Sequence, residues 1–424
     1  MVKIEDYPLS RVPQNKRVSF LSVAIIHLGM LTALDQFMLG AVLGHRMTLG
    51  EAFIAISAGS LIFAVATLGL GLAGMREGVS GSLLARWCGF GRIGSVLVGL
   101  VIAICLLGWF GIQNAIFARS LDFALQGKLG FILSASLTGI FLTILVAFGF
   151  RALRFTARIA VPMFIMLVAF ISFTTLSGIN TTEIIAQPPV GEPLSLSEGI
   201  TMVVGGAIIA SLITPDLTRY SRNKKQVFNI TLLTILVSQY IVNGLAILIA
   251  KTLGTADVVT MMAQTAGGIG LLVVVFSTLR VNDINLYSSS LGITNAVEGV
   301  FGKKLKYSTT TLVIGSVGTL LSVLGILEHY ADFLSLLGVI IPPIISVMMV
   351  DYYILRNHRS VLDRSRENGI LPDSTPVIGW LAVISCAAGS AAGIMITAGV
   401  PTLNSLVIAG ALYYLLSKLK TLMH

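Results

Sequence analysis

Two residues four apart, Trp109 and Gln113 in the run GWFGIQNA, carry the most pointed chemistry of this 424-residue chain. At that spacing they share one face of a helix. An indole offers a flat surface for offset stacking, and a Gln amide both donates and accepts. The pair suits a planar ring with polar edges. Asn282 and Asn285 in RVNDINLYSSSLG share a face by the i, i+3 rule and are candidates for a second edge. Asp35 and Arg280 are charges inside apolar runs. An Arg at the centre of a membrane helix costs about 2.5–3.5 kcal/mol or more unless paired or hydrated. The sequence therefore points to Asp35, the only acid in its run, as its partner, with Asp283 as competitor.

The elements that hold these residues follow from composition. Residues of the AVILMFWYC set make up 55%, charged residues 11%, and the mean hydropathy is +0.92. Soluble proteins carry about 25% charged residues, so a soluble enzyme, a nucleic-acid binder and a disulfide scaffold are excluded. The chain reads as an all-α polytopic membrane protein. Its net charge of +9 fits loops rich in Lys and Arg on one side of a bilayer. Cys88, Cys105 and Cys386 show no CxxC spacing and read as packing residues. No cleavable signal is expected, because the polar first nineteen residues precede a stretch long enough to span.

A spanning helix needs about 20 apolar residues. Twelve stretches qualify, at 20–44, 51–73, 93–117, 130–150, 158–178, 198–218, 227–250, 266–298, 308–327, 331–355, 376–398 and 402–418. Of the 28 basic residues, 23 fall in the N-terminal tail 1–19, the C-terminus and the loops after even-numbered spans, among them Arg86, Arg154, Arg222, Lys304 and Arg364, against four in the loops after odd-numbered spans. That asymmetry predicts cytoplasmic N- and C-termini. Compact loops point to a bacterial inner membrane.

A polar solute is bound halfway across a membrane where helices break and free backbone groups line a cavity. Span 1 has Gly29, Gly40 and Gly44 around Asp35, span 6 has Gly205-Gly206 near its middle, and span 10 has Pro342-Pro343. Breaks are expected in spans 1 and 6, five helices apart, as in two inverted repeats. Two GxGxxG runs, at 69–74 and 89–94, lack the preceding strand of a dinucleotide site and read as packing and turn glycines. An intramembrane enzyme would need more than His27 with Asp35, and a channel would show repeated polar stripes.

With these segments in place the chain resembles the nucleobase–cation symporter-1 family (cytosine, purine, allantoin and hydantoin permeases), closest to the cytosine permease-like branch. The resemblance rests on TPDLTRYSRN with Pro215, Asp216, Arg219 and Tyr220, on IIPPIISVMMVDYY with Pro342, Pro343, Asp351 and Tyr352, and on the Asn-Asp pair of span 8 followed by Leu-Tyr-Ser. It implies a leucine-transporter-like 5+5 inverted repeat, spans 1–5 over 20–178 and spans 6–10 over 198–355, with peripheral spans over 376–418. It implies uptake of a nucleobase or related planar heterocycle by alternating access, with no cofactor. The protein is expected to be a monomer in the lipid bilayer with no nucleic-acid partner. The family stacks its substrate on the span 3 Trp, here Trp109, and bonds it with a Gln one turn later, here Gln113. Gly205 and Gly206 would present backbone groups. The second stacking aromatic of some members falls near Ala207, a departure that leaves allantoin, hydantoin or a hydroxymethylpyrimidine-like precursor as alternative substrates.

Sodium-coupled members hold the ion between span 1 carbonyls, here Gly29 and Thr32, and span 8 hydroxyls. Aligned on Asn282-Asp283, those hydroxyl positions fall on Arg280 and Val281. A guanidinium only donates. Arg280 would then fill the place of the ion, leaving protons, carried by Asp35 or Asp283, or the substrate gradient to drive transport. In a register shifted by one turn, Ser277 and Thr278 supply sodium oxygens instead. Sodium and proton both remain open as the coupling ion.

Overall fold

The computed structural model of the protein describes residues 7, 10–31, 33–148, 150–177, 181–303, 305–372 and 375–423. The chain runs through α1 (Phe20–Leu31), α2 (Leu34–Arg46), α3 (Leu49–Glu77), α4 (Gly81–Ala85), α5 (Gly91–Ala124), α6 (Phe131–Phe148), α7 (Phe150–Leu176) and α8 (Thr181–Ala186). It continues with α9 (Leu196–Thr218), α10 (Lys224–Thr234), α11 (Asn243–Leu253), α12 (Val258–Phe301), α13 (Tyr307–Val323), α14 (Tyr330–Met349), α15 (Arg359–Glu367), α16 (Trp380–Met395) and α17 (Pro401–Leu422). Wider π-helical turns sit at Arg86–Phe90, Ile235–Val242 and Val350–Leu355. No strand occurs among the described residues beyond an isolated bridge between Val18 and Ser221. Eight helices are long and apolar enough to cross a membrane, nine if the bent pair α1–α2 is one span. Pro162–Leu176, Tyr307–Val323 and Trp380–Met395 are shorter apolar helices. Large apolar side chains point outward, Leu61 at 67% and Phe173 at 75% exposure, as a surface solvated by lipid allows.

Local signals set the helix ends. Thr48 with Glu51 and Ser195 with Glu198 close capping boxes at the starts of α3 and α9, each satisfying two orphan backbone donors. Gly78, Gly254 and Gly302 end α3, α11 and α12 in the left-handed conformation, which glycine adopts without a Cβ penalty.

Span 1 is broken as expected: Phe20–Gly29 and Leu34–Arg46 are bent by 52°, and α2 restarts after an extended Ala33. Span 6 is not. α9 runs unbroken from Leu196 to Thr218 through Gly205-Gly206, which corrects the expectation of a second break. The two glycines serve packing. A Cβ on Gly205 would collide with the Leu334 carbonyl of α14, and one on Gly338 with the Thr201 carbonyl of α9. Their absence lets the two backbones cross in contact. The same holds for Gly40 and Gly44, which bring α2 against Asn243 and Ile247 of α11. Gly69, Gly71 and Gly74 pack α3 on Met349, Val227 and Pro215, and Gly89 and Gly91 turn the chain with φ of 93° and 73°.

The N-terminal segment straps one end of the bundle. Val12 N–H donates to the Gly78 carbonyl at 2.8 Å and Val18 N–H to the Tyr220 carbonyl at 2.9 Å. Arg11 reaches buried Glu77 at 3.0 Å, which also accepts from Tyr352 Oη at 2.7 Å and Arg366 at 3.0 Å. Motif residues Tyr220 and Tyr352 thus serve this closure. Asp216 accepts from the Gly81 N–H at 3.0 Å, and Arg219 donates to the Tyr7 carbonyl at 2.8 Å.

Candidate substrate site

At the bend of span 1 lies a cavity of about 80 Å³. Its walls are Gly29 of α1, Asp35 of α2, Leu106 and Trp109 of α5, Gly206, Ile209, Ala210 and Ile213 of α9, and Arg280, Val281, Ile284, Asn285 and Ser288 of α12. Helical spacing explains the α12 set, since 281, 284, 285 and 288 recur on one face. The structure thus brings Gly29, Asp35, Trp109, Gly206, Arg280 and Asn285 onto one cavity.

The other expected site residues lie off its wall. Gly205 faces Leu334. Ala207 is fully buried and clusters with Phe63 and Ala210 rather than facing the cavity, a correction that follows from α9 staying helical, which turns position 207 toward α3. Gln113 and Asn282 are buried with no exposure, and Asp283 is part-exposed. Ser277 is buried, and the Thr278 hydroxyl bonds its own helix at the Val274 carbonyl, 2.9 Å. Thr32 lies outside the described residues.

Trp109 is held from outside the expected set. Phe333 and Tyr330 of α14 meet its ring edge-on, with centroids 5.4 and 6.2 Å away, and Tyr330 Oη donates to the Asp35 carbonyl at 2.9 Å. One aromatic pair therefore joins the stacking residue to the start of α2. Nothing in the spacing of α14 announces this, because it depends on how α14 folds over α5.

Arg280 does not pair as expected. Its guanidinium lies against Gly29, where a Cβ would stand 2.6 Å from Nη2. Among the described residues no ion pair joins it to Asp35 or Asp283. The bend is the reason: Arg280 contacts the α1 side of it, whereas Asp35 belongs to the first turn of α2.

Polar atoms at this level lack partners. Trp109 Nε1, both amide atoms of Gln113 and Asn282, Asn285 Nδ2 and Asp35 Oδ1 are buried with no hydrogen bond among the described residues. Buried polar groups in proteins are nearly all bonded, so a cluster of orphans marks a place built to meet something polar. Three other polar residues near them, His27, Asn114 and Gln36, are bonded. His27 bonds Thr234 at 2.9 Å and Thr214 at 3.1 Å, the packing role read from sequence. Asn114, beside Gln113, bonds Ala135, Ser322 and Thr138 at 2.9–3.0 Å. Gln36, which the sequence reading passed over although it sits beside Asp35 in an apolar run, donates to the Gly206 carbonyl at 2.9 Å.

The sequence profile of a family described as permeases for cytosine/purines, uracil, thiamine and allantoin matches residues 11–416. The chain is 29% identical over 423 residues to the cytosine permease of Escherichia coli K12, covering 98% of this chain and 95% of that one. It is 22% identical over 377 residues to the hydantoin permease of Microbacterium maritypicum, covering 82% and 76%. In three dimensions it is similar to the inward-facing conformation of Mhp1, with a TM-score of 0.77 and 18% identity over 99% of this chain and 95% of that one. It is also similar to a closed form of Mhp1, a nucleobase-cation-symport-1 family transporter with bromovinylhydantoin bound, at 0.71 and 19% over 98% and 96%. A Na+-coupled sialic acid symporter gives 0.63 and 14% over 97% and 91%. These solved structures share the fold.

Proposed function

From the premise that the chain belongs to the family of permeases for cytosine/purines, uracil, thiamine and allantoin, and is thus a multi-pass membrane transporter rather than an enzyme, we propose that it imports a single-ring nucleobase or similar planar heterocycle by alternating access. The observation that carries this reading is the set of unbonded polar atoms around Trp109 at the bend of span 1. Trp109 stacks the ring, and Asn285 and Asp35 meet its edges. Gln113 and Asn282 complete the polar set once the helices around them move. About 80 Å³ is less than the roughly 150 Å³ that admits benzene. One ring asks for a modest enlargement and a purine for a larger one.

The twelve-span reading joins the eight long helices, the bent pair and the three shorter apolar helices. In it the spans form the leucine-transporter-like 5+5 repeat plus two peripheral helices, in an inner membrane with both termini cytoplasmic. Arg280 against Gly29 takes the place a sodium ion has in coupled relatives, and Thr278 has its hydroxyl committed to its own helix. Asp35, on the cavity wall with Oδ1 unbonded and no ion pair among the described residues, is the proton carrier in this reading.

The test is thermal unfolding of the purified protein with a panel of bases, hydantoin and allantoin, each in sodium or choline chloride. A ligand at 100 times its Kd stabilises by about 2.7 kcal/mol. One single-ring compound is expected to stabilise equally in both salts. Stabilisation that requires sodium would restore the ion to Ser277 and Thr278, and no stabilisation by any compound would overturn the substrate class.

A further inference from the structure

Behind the cavity wall three amides join in a line. Asn243 Nδ2 donates to Gln239 Oε1 at 3.0 Å, Gln239 Nε2 to Gln36 Oε1 at 3.4 Å, and Gln36 Nε2 to the Gly206 carbonyl at 2.9 Å. All three side chains are fully buried. They come from the start of α11, the π-helical turn Ile235–Val242 and the first turn of α2. A buried amide costs free energy wherever a bond is unmade, and π-turns in helices recur at functional positions.

The direction of the line is dictated from one end. A backbone carbonyl only accepts, so Gln36 must turn its NH2 to Gly206. Its oxygen then faces Gln239, which must present an NH2, and Asn243 must do the same in turn. Inside continuous α9 the Gly206 carbonyl already has its helical partner, and Gln36 fills its second lone pair. Gly206 lines the cavity, so the acceptor that span 6 would offer there is taken.

We infer that Gln36, Gln239 and Asn243 form a positioning relay that saturates the Gly206 carbonyl, so that the donor edge of the ring is read by Asp35 Oδ1 and not by the backbone of span 6. This rests on the heterocycle-transport reading and extends it, because Gln239 and Asn243 set selectivity from outside the cavity. Gln239→Glu is nearly isosteric and, once ionised, accepts only, whereas a carboxyl kept protonated by burial would go on donating to Gln36 and leave Gly206 capped. The ionised form keeps the bond from Asn243, offers no N–H to Gln36, and repels the Gln36 oxygen, so the Gln36 amide turns and uncaps Gly206. Gln36→Leu uncaps it directly. A freed carbonyl rewards the ring with more N–H groups, and cytosine has one more than uracil.

The experiment is cytosine and uracil binding to purified wild type, Gln239→Glu, Gln36→Leu and the milder Asn243→Ala, with Tm measured alongside. The ratio of the two Kd values is expected to move toward cytosine by about tenfold in the first two variants, one net hydrogen bond, and by a smaller factor in Asn243→Ala. A purely structural role lowers Tm and leaves the ratio alone. Wild type that binds at least one ring, with the preference between the two unchanged in every variant that folds, overturns the relay alone. Wild type that binds neither overturns the transport reading and the relay together.

Discussion

The guanidinium of Arg280 rests against the Cα of Gly29, so that any side chain at position 29 would displace it. The group displaced is the far end of a long side chain, which moves at little cost. Gly29→Ala is therefore expected to shift stability by about 1 kcal/mol or less while lowering uptake about tenfold. Arg280→Thr supplies a hydroxyl where the charge was and is expected to make uptake sodium-dependent. Uptake in sodium and choline media, with Tm as control, checks both. An Arg280→Thr protein with the same ion response as wild type would remove Arg280 from the coupling site.

The contact between α9 and α14 predicts an asymmetry within Gly205-Gly206. A Cβ on Gly205 meets the Leu334 backbone, whereas one on Gly206 meets Leu39 Cδ2 at 3.0 Å. Backbone yields less than a side-chain methyl. Gly205→Ala is expected to cost more than about 3 kcal/mol and to lower Tm sharply, though Gly205 lies off the cavity. Gly206→Ala is expected to cost less and to weaken ligand binding. Thermal unfolding and ligand titration of the two variants separate packing from recognition.

That pair also shows where sequence reasoning stops. Hydropathy located the long apolar helices because lipid imposes length and apolarity on each one separately. The break at Gly29–Asp35 was legible because a buried acid stands beside the glycines. Gly205-Gly206 gives the same local signal, yet its cause is Leu334, more than a hundred residues away. Trp109, Asp35, Arg280 and Asn285, singled out by type, spacing and the family resemblance, line one cavity. The Arg280–Asp35 pairing failed because the bend decides which charges meet, and a linear pattern carries no bend angle. Tyr330, Phe333 and the amides behind Gly206 are tertiary facts of the same kind.

Gln113 and Asn114 are adjacent amides that the sequence does not distinguish, and the structure separates their roles. Asn114 is bonded to Ala135, Ser322 and Thr138, so Asn114→Leu breaks three buried hydrogen bonds and is expected to cost about 2–3 kcal/mol. Gln113 has neither amide atom bonded among the described residues, so Gln113→Leu removes an unpaid desolvation and is expected to leave stability equal or higher. Ligand binding is expected to be lost in Gln113→Leu. Paired Tm and binding measurements test this, and a destabilised Gln113→Leu would make it a structural amide like its neighbour.

At the strapped end, Asp363 of α15 bonds Arg366 at 2.8 Å and Arg76 at 3.0 Å, with Arg359 at 3.5 Å. Burial pushes its carboxyl up, but the Arg366 hydrogen bond and the charges of Arg76, Arg366 and Arg359 outweigh it and hold the group below its ordinary value of 3.8. A carboxylate depressed in the folded state stabilises above its unfolded pKa and loses that contribution as pH falls through the folded value. Asp363→Asn is expected to cost at most about 1 kcal/mol at pH 7, since the group is a third exposed and screened. Below pH 3.8 the Tm difference from wild type is expected to shrink toward zero. A difference that stays constant from pH 7 to pH 3 would mean that Asp363 acts through shape rather than charge, and that the contact between α3 and α15 is held by buried Glu77 alone.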